Sequence, residues 1–502
     1  MRFRELLLGL VSEEQLDLQG VSDLQVTGLA LNSSKVQEGN LFIALAGSQQ
    51  HGLTYVAQAV EQGASAVIYD PEGGGIEIAE HIVNVPIFAI DDLGMHLGFI
   101  AARFYDNPSR SIDVIGITGT NGKTSCSQFL GQVLEDCGVI GTLGWGFWGD
   151  LNQTLNTTPD ALEVQRILAE LRKDKAHKVA MEVSSHGLAQ GRVNAVNFKG
   201  AVFTNISRDH LDYHGTMASY LASKLKLLTK PGLKFVVVNL DDDYCDQVIN
   251  AVPKEVSIWG ISVEGRELAN IERVTADSVM HTSDGLRLDV HWKGQNHRVE
   301  VPIYGDFNAE NILIVLAVMM ATGIEMAEAV KSLQQLKPVM GRMEHWGGNG
   351  QPLIFVDYAH TPDALNKALN SLKKHCLEAL WVVFGCGGNR DQGKRSEMGR
   401  IAQQQADHVI VTDDNPRFEE SVAIVSDILA GCEKDEVTYS KVEIMQNREQ
   451  AIHSAIKKAT QYDCILIAGK GHEDYQEIKG VRTPFSDSQI VEEALKERAR
   501  LL

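Results

Sequence analysis

The chain has 502 residues and a mass of 55.1 kDa, too long for one hydrophobic core; at roughly 100 to 200 residues per domain it predicts about three domains. With 44% apolar and 22% charged residues it is an ordinary folded protein rather than a disordered, collagen-like or disulfide-dense chain. The 46 Lys and Arg against 66 Asp and Glu give a net charge of −20, which argues against broad binding to nucleic acid or anionic membrane and leaves small ligands, with a local basic pocket for phosphates.

Seven scattered cysteines without a Cys-x-x-Cys pair fit reduced thiols, and the apolar run Leu6 to Val11 is short and followed by Glu13 and Glu14. A cytoplasmic protein without membrane insertion is expected. In chain order, the strand-like runs Leu41 to Leu45, Ala66 to Tyr69 and Ile82 to Ile90 predict a small α/β domain over 1–92. A helix over Leu93 to Tyr105, a break at Asp106-Asn107-Pro108-Ser109 and a buried strand over Ile112 to Ile117 open a larger α/β domain, 93–338. Its later part alternates like a strand over Val274 to Pro302, continues as a helix over Asn308 to Ala321, and ends at a linker, Leu336-Lys337-Pro338.

The third block, 339–502, repeats one theme. Ile354-Phe355-Val356 runs into Asp357, Leu380 to Phe384 into Gly385, Val409 to Val411 into Asp413, and Ile465-Leu466-Ile467 into Gly469. Apolar runs separated by helical stretches predict a doubly wound parallel sheet, whose ligands sit beyond the carboxyl ends of its strands.

The strongest local signal is Gly116-Ile117-Thr118-Gly119-Thr120-Asn121-Gly122-Lys123-Thr124, between a predicted strand and a predicted helix. Glycines let backbone N–H groups curl around phosphates at a helix start, Lys123 can neutralise β and γ oxygens, and the Thr124 hydroxyl can ligate Mg2+. The loop is one residue longer than the usual phosphate-loop pattern. It predicts nucleoside triphosphate binding, but does not choose between kinase, ligase and nucleotide switch. Two further strands end in polar residues: Val179-Ala180-Met181 leads into Glu182, and Ala201 to Asn205 leads into Ser207-Arg208-Asp209-His210. Glu182 and His210 would offer Mg2+ one oxygen and one imidazole ligand; by residue type alone His210 equally suits an ordinary loop histidine.

These residues, with Glu182-Val-Ser-Ser-His-Gly187, Thr204 to His214, Gly341-Arg342-Met343-Glu344, Val356 to Pro362, Asp414-Asn415-Pro416-Arg417 and Gly469-Lys-Gly-His-Glu473, resemble the Mur ligases of bacterial peptidoglycan synthesis across nearly the whole chain. The resemblance implies an N-terminal domain for a UDP-muramyl substrate, a central P-loop ATPase domain and a C-terminal Rossmann-like domain that binds an amino acid. It implies an ATP-dependent acid–amino-acid ligase that adds meso-diaminopimelate to UDP-N-acetylmuramoyl-L-alanyl-D-glutamate through an acyl phosphate, with ATP and Mg2+ required and a monomer expected. Ligation of L-lysine and folylpolyglutamate-synthase-like chemistry are the enzymatic alternatives; a nucleotide switch would need no amino-acid pocket.

The resemblance also implies site residues. Gly119 to Thr124, Asn308 (adenine), Arg342 (γ-phosphate) and Asp357 (ribose) would bind ATP. Leu31, Ser33, Ser48, Gln49 and Gln50 would face the nucleotide sugar, and Asn156, Thr157, Thr158, Ser184, Gln190 and Arg192 the muramyl dipeptide. Thr157-Thr158 also suits a helix cap before Pro159. Arg390, Asp414, Asn415, Pro416, Arg417, Gly469 and Glu473 would hold the amino acid, the arginines forking onto carboxylates. Lys224, on a predicted helix over Thr216 to Leu228, would carry a CO2-derived carbamate and, with Thr124, Glu182 and His210, bind Mg2+. Two positions depart from the family pattern: Leu31-Asn32-Ser33-Ser34, where Leu-Asp-Ser-Arg is usual, and Asn389, where Asp is more frequent.

Overall fold

The computed structural model describes residues 1–47, 50–282, 284–433 and 441–501. Ser48 and Gln49, expected at the nucleotide sugar, lie outside the described residues. The first part is a parallel four-stranded sheet in the order Gly28–Ala30, Asn40–Ala44, Ala66–Tyr69, Ile87–Ala89. Successive side chains alternate between its two faces, as the strand period requires. Leu41, Ile43, Ala66 and Ile68 pack with Phe3, Leu6 and Ile100, while Phe42, Ala44 and Val67 pack with Leu53 and Ala59. The run expected over Ile82 to Ile90 is a strand only from Ile87, because Pro86 has no N–H to pair. The helix Leu93–Phe104 buries Leu93, Leu97, Ile100 and Ala101 in this N-terminal core, which Ala161 and Leu162 of the central part also join.

Among the described residues the central sheet has eleven strands. Its parallel middle runs Glu272–Thr282, Ser257–Ser262, Phe235–Asn239, Phe198–Phe203, Asp113–Thr118, Lys178–Glu182, Cys137–Gly141. Antiparallel pairs extend both margins. The alternating stretch expected over Val274 to Pro302 is three antiparallel strands, Glu272–Thr282, Gly285–Trp292 and Gln295–Val301, whose inward residues cover the helix Phe307–Ala321. Beyond its polar first turn that helix is apolar on all sides, and it is buried over nearly its whole length. The strand Asp113–Thr118 lies between Phe198–Phe203 and Lys178–Glu182, so three strand ends that carry chemistry-bearing residues emerge side by side.

The linker is clamped: Gln132 accepts from Lys337 N at 2.8 Å and donates to Lys337 O at 3.1 Å. Beyond it is a six-stranded sheet in the order Glu344–Gly348, Gln351–Asp357, Cys464–Ala468, Leu380–Phe384, His408–Val411, Val442–Ile444, parallel except for its first strand. All four strands expected in this block are present. The α/β class with three parts and a doubly wound C-terminal sheet therefore holds. Among the described residues no helix is long and apolar enough to cross a membrane.

Candidate active site

The loop after Asp113–Thr118 is held by close packing. Gly119 has φ +151° and Gly122 φ +84°, and a Cβ at Gly122 would lie 2.6 Å from Asn311 Oδ1, so side chains there would both strain the backbone and strike neighbours. The adjoining strand end pins the loop: Thr120 N donates to Asn205 O at 2.7 Å, Asn121 N to Asn205 Oδ1 at 2.9 Å, and Thr204 Oγ1 to Asn121 O at 2.6 Å. The helix Lys123–Val133 starts at the loop, placing its positive end there. Lys123 Nζ donates to Gly119 O and Thr120 O, each at 2.8 Å. Burial lowers its pKa, with Arg342 adding and Glu182 and Asp209 opposing.

Glu182 is fully buried and accepts three hydrogen bonds: from Thr124 Oγ1 at 3.0 Å, Thr142 N at 2.9 Å and Thr142 Oγ1 at 3.1 Å. Thr142 escaped the sequence reading, because nothing in its neighbours marks it; only the sheet order brings its loop to Glu182. From the C-terminal part, Arg342 Nη2 approaches Thr124 Oγ1 at 3.4 Å while its guanidinium stacks 4.4 Å from the Tyr358 ring. Asp357 is buried and accepts from Met343 N and Ala359 N, each at 2.8 Å. Asn308 lies beneath the loop, donating to Tyr304 O at 2.6 Å and accepting from Asn311 Nδ2 at 2.8 Å.

On the opposite side, the helix Met217–Leu225 is capped by Thr216, which accepts from Ser219 N at 3.2 Å. It delivers Lys224, 1% exposed, to the phosphate loop, where Nζ donates to the same Gly119 O at 2.8 Å. Burial, reinforced by Lys123 and opposed by Asp209, holds its pKa well below the usual lysine value. Lys226, two residues on, is exposed. His210 sits 3.4 Å from Asp209 Oδ2, with its ring edge-on to His186 at 4.8 Å between centroids. Burial lowers its pKa despite Asp209. Among the described residues no three His, Cys, Asp or Glu side chains converge as a metal site, so Thr124 and Glu182, in contact, are the hard-oxygen pair beside the loop.

Thr158 Oγ1 donates to Glu182 O at 3.0 Å and lies within hydrogen-bond distance of Ser184 Oγ, at 3.1 Å; Thr157 meets Thr142 at 3.0 Å; Arg192 donates to Thr158 O at 2.8 Å and to Gln190 Oε1 at 2.9 Å. The following helix, Ala161–Lys173, is capped by Asp160 rather than by either threonine. Asn156 is exposed. The nucleotide-sugar candidates stand on the N-terminal part: Ser33 donates to Gln58 at 2.7 Å, Gln50 accepts from Tyr55 at 3.1 Å, and Leu31 packs on the core. Asn32 caps its own turn by accepting from Ser34 N at 2.9 Å.

At the C-terminal sheet, Gly469 N donates to the backbone carbonyl of Asp357 at 3.1 Å, which ties the end of the strand carrying Asp357 to the start of the loop that leads to Glu473. Asp414, Asn415 and Pro416 are buried. Arg417 donates from Nη1 to Gly388 O at 2.9 Å, and its backbone N donates to Glu477 O at 2.9 Å. Arg390 is exposed beside it, with no ion-pair partner among the described residues. Asn389 has φ +53°, which Asn tolerates better than most residues, and accepts from Phe418 N at 3.1 Å.

Three histidines at the junction of the central and C-terminal parts are held neutral. Burial pushes His360 and His375 down to about 4 and His472 to about 3, with Lys394 adding at His360, His281 at His375 and Arg342 at His472. In the unfolded chain they titrate near 6.5. Below that value the unfolded chain binds more protons than the folded one, so their stabilisation is full above about pH 6.5 and is lost as pH falls toward 4. Because the buried Glu310, pushed up to about 7, acts in the opposite sense over the same range, the check is NMR titration of the three imidazoles, which are expected to stay neutral down to about pH 5; protonation of all three near pH 6.5 would contradict the assignment.

Comparison with known proteins matches this architecture part by part. Residues 25–105 match the model described as Mur ligase family, catalytic domain; 117–319 the Mur ligase middle domain; and 341–471 the Mur ligase, glutamate ligase domain. A Pseudomonas aeruginosa protein named UDP-N-acetylmuramoyl-L-alanyl-D-glutamate–2,6-diaminopimelate ligase is 45% identical over 490 residues, 97% of this chain and 98% of its own. One of the same name from Xanthomonas oryzae is 45% identical over 485 residues, 95% of this chain and 96% of its own. A solved structure with that name aligns at 33% identity and a TM-score of 0.70, covering 99% of both chains. With similarity of that extent running through all three parts of the fold, the chain belongs to the Mur ligase family.

Proposed function

We propose that the protein joins meso-diaminopimelate to UDP-N-acetylmuramoyl-L-alanyl-D-glutamate with hydrolysis of ATP to ADP and phosphate, in the cytoplasm, as a monomer. The observation that carries this reading is the junction of the domains. Arg342 of the C-terminal part reaches Thr124 of the phosphate loop, and within the C-terminal sheet Gly469 N bonds the Asp357 carbonyl, which connects the ATP side to the loop that carries Glu473. The names of the near-full-length relatives support the substrates.

A carboxylate is a poor acyl donor, so the first step transfers the γ-phosphoryl group to the free D-glutamyl carboxylate. Lys123 turns its ammonium from the loop carbonyls to the transferring phosphoryl oxygens, and Arg342 supplies a second cation. Mg2+, held by Thr124 and Glu182 with His210 and a carbamate on Lys224 as further donors, supplies neutralisation of phosphate charge when bound. Thr157, Thr158, Ser184, Gln190 and Arg192 flank Glu182 and orient the muramyl dipeptide, with Asn156 at the rim; Leu31, Ser33 and the stretch 48–50 serve the uridine end. Asn308 and Asp357 hold adenosine. The amine of diaminopimelate then attacks the acyl carbon, the acyl–phosphate bond breaks, and phosphate leaves. In this reading 1–92, 93–338 and 339–502 are the UDP-muramyl, ATPase and amino-acid domains.

Arg417 has a backbone carbonyl rather than a carboxylate as its side-chain partner, leaving further N–H groups for the distal carboxylate of the substrate, with Arg390 beside it. Lysine lacks that carboxylate. Because charge-assisted hydrogen bonds contribute about 1.5–3 kcal/mol, Arg417→Ala should reduce the preference for meso-diaminopimelate over lysine by about 10- to 100-fold. ATP turnover measured with each amine, with and without the UDP-muramyl dipeptide, checks this. Equal kcat/KM for the two amines, or turnover indifferent to the acceptor, would overturn the assignment.

A further inference from the structure

Between the two amino-acid loops lies a cation with no part in the scheme above. Lys470 is 0% exposed and its ammonium donates to Asn415 Oδ1 at 3.1 Å and to Glu473 Oε2 at 3.2 Å. Asn415 Nδ2 donates to that same Glu473 oxygen at 2.8 Å, closing a three-membered ring of side chains, and Asn415 Oδ1 also accepts from Glu477 N at 2.9 Å. The rings of Tyr475 and Phe485, 5.5 and 5.9 Å from the ammonium, wall it in. Lys470 cannot touch a substrate from there; what it can do is fix the groups that face one.

Glu473 is bonded only through Oε2 among the described residues, and its side chain is 17% exposed. With Oε2 held twice, Oε1 is the carboxylate oxygen left to accept from a ligand. Without the ammonium the carboxylate would lose the one cation that hydrogen-bonds it among the described residues and rotate toward water, and Asn415 would lose one of its three side-chain hydrogen bonds. We propose that Lys470 is a positioning residue for the incoming amino acid: it holds Glu473 and Asn415 so that Glu473 Oε1 is presented to a substrate ammonium group. This rests on the reading of Glu473 as an amino-acid contact.

The test uses the full chain with Lys470→Met, Glu473→Gln and the double variant, with meso-diaminopimelate as the varied substrate. Each single change should raise its KM by about 10-fold or more, and the double change should be no worse than the worse single, since both remove one interaction. KM for ATP and for the UDP-muramyl dipeptide, and the single-turnover burst of ADP formed without amine, should not change; a general loss of structure would move them all. If Lys470→Met alone does not fold, the double variant, which leaves no unpaired buried charge, is compared with Glu473→Gln: equal KM supports the proposal and a further 10-fold rise, roughly, overturns it. An unchanged KM in Glu473→Gln removes the reading of Glu473 and the proposal with it. A raised KM in Glu473→Gln with a normal one in Lys470→Met, or with additive effects, overturns the positioning role alone.

Discussion

Lys123→Ala is expected to lower amide formation by about 10²- to 10³-fold, equivalent to about 2.7–4 kcal/mol, while the protein still folds. The loss falls on kcat because the ammonium matters most when phosphoryl charge develops in the transition state. Folding should survive, since the side chain bonds only two carbonyls of its own loop, and the loop is held separately by Thr204 and Asn205. Burial already disfavours the charged amine in the absence of an anion, so removing it relieves rather than creates a desolvated charge. Steady-state ligation and unfolding measurements on the same preparation separate the two effects. Near-normal turnover by a folded Lys123→Ala protein would end the assignment of the phosphate loop.

Lys224→Ala should cost a similar factor, about 10²-fold, but with a different signature. A carbamate forms only on a neutral amine, and burial together with Lys123 drives Lys224 toward that form. Converting it to an anion would also remove the like-charge contact between two lysines that converge on the Gly119 carbonyl. Short carboxylic acids should therefore restore part of the activity of Lys224→Ala by supplying the missing anion, and intact-protein mass measured under CO2 should show the adduct in the parent chain but not in the variant. Lys226→Ala, at an exposed position, should be mild. Full activity of Lys224→Ala, or no adduct in an active preparation, would exclude the carbamate.

Elements whose signal is local were readable in advance. The phosphate loop announces itself by glycine spacing between a strand and a helix, and Leu380–Phe384, His408–Val411 and Cys464–Ala468 are apolar runs short enough to be buried strands. Edge elements were not readable: Glu344–Gly348, Val442–Ile444 and the hairpin Tyr475–Ile478 with Val481–Pro484 are half-buried or exposed and lack a continuous apolar pattern. Of the two departures from the family pattern, Asn32 closes its own turn on Ser34 N, whereas Asn389 ties its loop to Phe418 N, 29 residues further along the chain.

By itself the sequence determined the α/β class, the nucleotide loop and the motifs that mark the family, because periodicity and glycine placement are properties of neighbouring residues. Tertiary structure alone decided what each motif touches. Arg342 meets Thr124 across 218 residues of chain and Lys224 meets Gly119 across 105. Thr142 turns toward Glu182 because their strands are neighbours, and Lys470 is enclosed because the loops after His408–Val411 and Cys464–Ala468 leave one parallel sheet at the same end and meet there. Burial, charge pairing and pKa arise from those distant partners, and no local pattern encodes them.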